Sequence, residues 1–333
     1  MKLCNQVSVG ILGTGSAFPE EELTNFDLER IVNTTDEWIS KRTGISKRRI
    51  LDKNTPGYKL GVSAAKEALK DAGIEASEIG LIIVSTETPD FLSPSTSCNI
   101  QREIEATNAA AFDLNAACSG FVYGLATAKS FIVSGQYKYV LLVGCEALTR
   151  AVDWTDRNTC VLFGDGAGAV VLGPVESEYG IINTCLGAEG HLGHNITIPC
   201  YYFSDDEKNK RNGEEKKSIW MDGQEVFKFA VKALEQATKK VLDYANMGID
   251  DIKLVFPHQA NSRILDGAAR RLGISSEKIF TNLHKYGNIS SASIPVALDE
   301  AKKEGLIEKG DNLVLVGFGG GLTWASALIR WSK

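Results

Sequence analysis

The chain carries one copy of itself. "DAGIEASEIGLIIVSTETP" (Asp71–Pro89) reads as a helix end running into a buried strand, and "YANMGIDDIKLVFPHQA" (Tyr244–Ala260) reads the same way. Aligning Ile79 with Ile252 sets an offset of 173 residues. That offset also carries "YVLLVGCEA" from Tyr139 onto "NLVLVGFGG" from Asn312, Ala72 onto Ala245 and Leu69 onto Leu242. Two strand-like runs and a helix keep one register without a gap across about 70 residues, the signature of a duplication. A chain of 333 residues also exceeds what a single core supports. Two fused halves are expected, residues 1–175 and 176–333.

Each half alternates strands with helices. "LGVSAAKEALKDAG" (Leu60–Gly73) has helical apolar spacing and a glycine stop. "YKYVLLVGCE" and "DNLVLVGFGG" are continuous β-branched runs, as in strands buried on both faces. The expectation is an α/β fold, mostly parallel sheets with helices on both sides, and a site where the halves meet. "CYYFSDDEKNKRNGEEKKS" (Cys200–Ser218) is densely charged and aperiodic, and reads as a solvated loop or hairpin.

Composition narrows the function classes. The net charge of −6 disfavours a general nucleic-acid binder. The seven cysteines, Cys4, Cys98, Cys118, Cys145, Cys160, Cys185 and Cys200, are scattered and odd in number, with no CxxC pair. That argues against a disulfide framework or a zinc knuckle and for a reducing compartment, the cytoplasm. No apolar run is long enough for a membrane span, and "MKLCNQVSVGILGTG" reads as a first strand rather than a signal peptide. "GDGAGA" (Gly164–Ala169) runs into a strand instead of a helix, so a dinucleotide loop is discounted. "HLGH" (His191–His194) is thin evidence for a metal, and none is expected.

Four segments carry chemistry. "NAACSGF" (Asn115–Phe121) places Cys118 at a helix start, where partial positive charge lowers a thiol pKa. "PHQAN" (Pro257–Asn261) puts His258 at the C-terminal end of a buried strand, where open α/β sheets build their sites. "KYGNISSAS" (Lys285–Ser293) offers Asn288, a neutral donor beside Gly287. "GFGGGLTWAS" (Gly317–Ser326) has three consecutive glycines, whose backbone can aim N–H groups at an oxyanion. The 173 offset carries Cys118 onto Ser291 and Asn115 onto Asn288, so the two halves hold similar polar clusters at equivalent points.

These segments resemble the β-ketoacyl-acyl-carrier-protein synthase III family, the initiating condensing enzymes of bacterial fatty acid synthesis in the thiolase superfamily. "TTDEWISKRTGI" (Thr34–Ile45), "DWTDRNT" (Asp153–Thr159), "FGDGAGAVVLGP" (Phe163–Pro174), "DGQEVFKFAV" (Asp222–Val231) and the ending "GFGGGLTWASALIRW" extend the likeness over nearly the whole chain. The resemblance implies a thiolase-like five-layered αβαβα sandwich. It implies Cys118 as acylated nucleophile, His258 and Asn288 as its partners, and backbone N–H groups of Cys118 and Gly320 as an oxyanion hole. Trp38 and Arg157 match a pair that sandwiches the adenine of coenzyme A. Thr34, Arg42, Gly223, Phe227 and Asn261 match further lining of that channel. Lys228, Arg263, Arg270 and Arg271 match a basic surface that docks the acidic acyl carrier protein. The implied substrates are an acyl-CoA and a malonyl-acyl carrier protein, with no permanently bound cofactor, and the implied assembly is a homodimer.

One departure bears on specificity. Many members carry a phenylalanine that closes the acyl pocket from the partner subunit, and here Ser93 stands in its place, in "TPDFLSPSTSC". The exchange predicts a deeper pocket and primers longer or more branched than acetyl, unless Leu92 or Phe91 refills it. Ile289, Ser291 and Ala325 also replace commoner residues. Two other readings stay open: a ketosynthase or acyltransferase of specialised metabolism, and a Cys-His-Asn hydrolase. The βα duplication and glycine-rich ending do not suit papain-like proteases, where the same residue order occurs.

Overall fold

The computed structural model describes residues 7–200, 210–211, 214–215 and 218–333. Cys4 and most of the segment read as a loop or hairpin, Cys200–Ser218, lie outside the described residues. Within that segment Lys210–Arg211 pairs antiparallel with Glu214–Glu215.

One sheet contains β1 (Ser8–Ala17), β2 (Leu81–Ser85), β3 (Ala110–Leu114), β4 (Val140–Ala147) and β5 (Asp165–Val175), in the order β1-β5-β4-β2-β3. The other contains β6 (Gly180–Ala188), β7 (Leu254–Pro257), β8 (Asn312–Gly319) and β9 (Thr323–Arg330), in the order β7-β8-β9-β6. The 173 offset holds at several points. Leu81 and Leu254 open equivalent strands, and the single turns Ala76–Glu78 and Ile249–Asp251 coincide under it.

Both sheets are mixed, which corrects the expectation of mostly parallel pairing. β2 runs parallel to β3 and β4, and β7 to β8, but the remaining pairs are antiparallel. The sequence pattern misses this because a strand buried on both faces reads the same in either direction. The connection decides it. Only Gly320–Leu322 separate β8 from β9, too few for a parallel crossover. A counterpart of β3 is reduced to one parallel bridge, Val255 to Ile279, so the second sheet has four strands.

Helices separate and cover the sheets. α1 (Asp36–Thr43) precedes α2 (Tyr58–Ala72) and α3 (Thr96–Glu103), and the last two pack outside the first sheet. α5 (Gly223–Asp243) and α6 (Ser262–Leu272) pack outside the second. Between the sheets lie α4 (Gly120–Val133) and α7 (Ser293–Lys303). Strand alternation sorts these layers. Leu81, Ile83, Val140 and Leu142 meet the central helices, while Ile82, Val84, Leu141 and Val143 meet α2. In the second sheet Leu313 and Leu315 turn to the centre, and Val314 and Val316 to α5 and α6. The result is the five-layered αβαβα sandwich.

Close backbone approach is built into the strands. A Cβ on Gly168 of β5 would lie 2.7 Å from Val296 N in α7 and 2.8 Å from the Pro295 ring. Gly168 of "GDGAGA" therefore serves helix–sheet contact. Gly168→Ala is expected to destabilise the fold by about 1–3 kcal/mol, the range for overpacking a filled core. A lowered urea midpoint would show it.

Candidate active site

Two matching turns hold the candidate residues. Cys118 lies on the turn Ala117–Ser119 that leads into α4, and Ser290–Ala292 leads the same way into α7. Asn115 Oδ1 accepts from Ala117 N at 3.1 Å, and Asn288 Oδ1 accepts from Ser290 N at 2.9 Å. Ala117 and Ser290 both sit in the left-handed region, with φ of 48° and 44°. Non-glycine residues rarely do so, and such strain gathers at functional sites. Each of these pairs is related by the 173 offset.

Contacts between the halves fix the turns. The Asn288 backbone donates to Leu162 O at 2.8 Å and accepts from Gly164 N at 3.0 Å. A Cβ on Gly319 of β8 would lie 2.5 Å from Cys118 N, and one on Gly317 would lie 2.9 Å from Ser119 Cα. Equivalently, a Cβ on Gly144 of β4 would lie 2.5 Å from Ser291 O. Gly320 lies over the same Cys118 turn, its would-be Cβ 3.5 Å from Ala117 Cβ. The structure thus brings Cys118, Asn288 and Gly320 into one region.

His258 reaches this region from the end of β7. Its backbone N–H donates to Val316 O at 2.8 Å, and its ring packs edge-on to Phe318, two residues before Gly320. Nδ1 lies 2.8 Å from Ser293 Oγ at the start of α7. That oxygen also accepts from Gln259 N at 3.5 Å, and we assign its hydroxyl hydrogen to Nδ1. We assign the Nε2–H tautomer on this network. Burial pushes the His258 pKa down to about 3, so the ring stays neutral. Asn288 Oδ1 is occupied by Ser290 N, which leaves Nδ2 as a second neutral donor.

Two carboxyls lie near Cys118, Glu87 in contact with it and Glu146 behind Glu87, and sequence reasoning missed both. Glu87 Oε1 lies 4.0 Å from Cys118 Sγ and accepts from the Ser290 hydroxyl. Glu146, fully buried in β4, accepts from Ser291, Thr88 and the Glu87 backbone. Burial raises both carboxyls, Glu146 to about 8. This corrects the expectation of a depressed thiol pKa. Burial pushes the Cys118 thiol well above its usual range, and Glu87 adds to the rise, while hydrogen bonds from Ser290 and the backbone oppose it. Glu87 had one legible signal, its place just past the C-terminal end of β2.

The other predicted residues fall in separate places. Trp38 on α1 lies beneath two guanidinium groups, Arg157 at 4.7 Å and Arg42 at 5.0 Å from the ring centre. A purine between Trp38 and Arg157 needs about 7 Å, two van der Waals contacts, so Arg157 must withdraw to admit one. Thr34 Oγ1 is buried, with no hydrogen-bond partner among the described residues. Asn261 caps α6 through Arg263 N, Gly223 opens α5, and Phe227 is exposed one turn further on. Lys228 pairs with Glu225 and Arg271 with Glu235, while Arg263 and Arg270 are exposed on one side of α6 without an ion-pair partner among the described residues. Ser93 is exposed, as are Phe91 and Leu92 beside it. Among the described residues no group of three or more His, Cys, Asp or Glu is placed to hold a metal, His191 and His194 included.

A family model described as 3-oxoacyl-[acyl-carrier-protein (ACP)] synthase III matches residues 112–190, and its C-terminal counterpart matches residues 242–331. The β-ketoacyl-[acyl-carrier-protein] synthase III of Caldanaerobacter subterraneus subsp. tengcongensis is 50% identical over 331 residues, 99% of this chain and 100% of its own. The chain belongs to the β-ketoacyl-[acyl-carrier-protein] synthase III family. It is accordingly an acyltransferase of the condensing type. The enzyme of that name from Natranaerobius thermophilus is 52% identical over 324 residues, 96% of this chain and 98% of its own. The crystal structure of 3-oxoacyl-[acyl-carrier-protein] synthase III from Aquifex aeolicus matches with a TM-score of 0.90 at 47% identity, covering 97% of this chain and 100% of that one. The fold is thus the thiolase-like fold of these condensing enzymes.

Two outcomes follow from this geometry. Gly319→Ala drives a methyl group into the Cys118 backbone, and is expected to slow acylation of Cys118 at least 100-fold, roughly the cost of misplacing a reacting group by an ångström. Stopped-flow acylation with an acyl-CoA measures it. The His258 ring nitrogens are expected to keep neutral, Nε2-protonated NMR shifts from pH 8 down to pH 5, because the depressed pKa places protonation lower still.

Proposed function

We propose that this chain condenses an acyl-coenzyme A with a malonyl-acyl carrier protein, with loss of carbon dioxide, to begin fatty acid synthesis. The observation that carries the reading is that the Cys118 turn seats on the glycines of β8, the equivalent turn after Asn288 seats on Gly144 of β4, and neutral His258 packs on Phe318 of β8, in a member of this family. Cys118 Sγ attacks the acyl carbonyl carbon and coenzyme A leaves. The malonyl thioester then loses carbon dioxide, and its enolate oxygen is held by His258 Nε2–H and Asn288 Nδ2–H. Neutral, preorganised donors suit a developing oxyanion in a dry site. The carbanion attacks the acyl-Cys118 carbonyl, whose oxygen is received by the N–H groups of Cys118 and Gly320. Acyl transfer before condensation makes the scheme ping-pong.

Coenzyme A enters along Thr34, Trp38, Arg42, Arg157, Gly223, Phe227 and Asn261 in this reading. The Thr34 hydroxyl, without a hydrogen-bond partner among the described residues, and the cationic stack on Trp38 support it. Lys228, Arg263, Arg270 and Arg271 receive the acidic carrier protein, and the free charges of Arg263 and Arg270 aid encounter. The functional halves divide at residues 175 and 176, the first carrying Cys118 and the second His258 and Asn288. The exposed apolar pair Phe91 and Leu92 supports a homodimer in which this loop is covered. Six described cysteines carry no disulfide, in keeping with a cytoplasmic enzyme. No helix among the described residues is long and apolar enough to cross a membrane.

Intact-protein mass after exposure to a panel of acyl-CoAs, without a malonyl substrate, tests this. One acyl adduct is expected, absent in Cys118→Ala, and formed faster with longer or branched acyl groups than with acetyl because Ser93 does not fill the pocket end. No adduct with any acyl-CoA would sink the function. A fastest adduct with acetyl would sink the Ser93 argument alone.

A further inference from the structure

The proton of the Cys118 thiol must leave before or as Sγ attacks, and the thiol is held well above its usual pKa. His258 is not placed to take it. Its Nδ1 receives the Ser293 hydroxyl, and its Nε2 carries a hydrogen in the assigned tautomer. Asn288 Oδ1 is engaged by Ser290 N. The acceptor that Sγ does have is Glu87 Oε1, at 4.0 Å.

Glu87 is built into place. It follows the end of β2, and its backbone N–H donates to Glu146 Oε2 at 3.2 Å. Thr88, next in the chain, donates to the same oxygen at 2.7 Å. Its carboxyl accepts from the Ser290 hydroxyl, and Ser290 is itself fixed by Asn288 and by its left-handed backbone. A carboxyl anchored from both halves, with one oxygen facing the nucleophile, serves no evident packing role.

We propose that Glu87 is the general base of the acylation step. The inference rests on the reading of Cys118 as the acylated nucleophile. Glu87 Oε1 takes the thiol proton as Sγ bonds to the acyl carbonyl carbon. When the tetrahedral adduct collapses, the bond from that carbon to the coenzyme A sulfur breaks. The departing thiolate takes the proton back from Glu87, so the carboxylate is restored and no other reactant is consumed. Catalytic contacts of this kind are often long before substrate binds and tighten in the complex. The groups facing the Glu87 carboxyl are Cys118 from the nucleophile turn, Ser290 from the opposite turn and Glu146 from β4. Of these only Cys118 and Glu146 titrate, and burial keeps all the acids above their usual range. A carboxylate with a raised pKa is a stronger base once ionised, and its active form grows as pH rises.

Single-turnover acylation by an acyl-CoA, followed by mass across pH 5–9, decides the matter. Wild type is expected to show a rising limb from a group above the ordinary carboxylate range. Glu87→Gln keeps the size of the side chain and an acceptor for Ser290. It is expected to lose that limb and to slow acylation about 100-fold, the lower end of general-base effects. Its coenzyme A affinity by calorimetry is expected within twofold of wild type. Glu87→Asp is expected to keep the limb at a reduced rate. Acylation of Glu87→Gln as fast as wild type, or faster, would overturn the proposal, as the carboxyl would then only suppress the thiolate. Should Glu87→Gln fail to bind coenzyme A, Glu87→Asp decides alone, and loss of the limb in it overturns the proposal. A wild-type chain that no acyl-CoA acylates would instead remove the nucleophile reading beneath it.

Discussion

The site depends on backbone touching backbone where a side chain would keep the halves apart. Gly317 and Gly319 of β8 press on the turn that carries Cys118. Gly144 of β4 presses in the same way on Ser291. Gly144 and Gly317 are related by the 173 offset, and so are Cys118 and Ser291. Each half therefore grips the other half's turn through an equivalent missing Cβ. Interiors are close-packed enough that one added methyl group must displace something. The glycines thus set how closely the Cys118 turn of one half meets the Ser290–Ala292 turn of the other.

That closeness has an electrostatic consequence. Burial in this seam moves each of its titratable groups toward the neutral form. His258 is held neutral, and Cys118, Glu87 and Glu146 resist ionisation. Neutral donors suit an enolate because they stabilise the new charge without first needing to be discharged. A neutral thiol, by contrast, is a poor nucleophile. In the proposed scheme, the same burial that favours decarboxylation hinders acylation, unless a base stands beside the sulfur.

The duplication was legible in the sequence because two buried strands and a helix share a register, and it extends to the hydrogen bonds of Asn115 and Asn288. The places of Cys118, His258 and Asn288 at a helix start, a strand end and a glycine turn were legible. Strand direction was not, since buried strands alternate nothing and only the brief β8–β9 connection settles it. Glu146 was invisible, and Glu87 showed only its place past a strand end, because a lone glutamate in a sequence does not show which cavity receives it. The thiol pKa was misjudged for that reason: the helix start is local and readable, whereas the carboxyl opposing it comes from a strand end 31 residues earlier. The Trp38 stack shows the same limit. Aromatic and basic residues could be matched one by one, but the closed spacing between Trp38 and Arg157 is a property of the fold.

The central claim is that each half brings one chemical step, the nucleophile from the first and the enolate donors from the second. Release of labelled carbon dioxide from a malonyl thioester, compared between Cys118→Ala and His258→Ala, tests it most directly. The account predicts that Cys118→Ala still decarboxylates although it cannot condense, while His258→Ala accepts an acyl group but releases carbon dioxide at least 100-fold more slowly, the cost of one oxyanion donor. Decarboxylation lost in Cys118→Ala and retained in His258→Ala would contradict it.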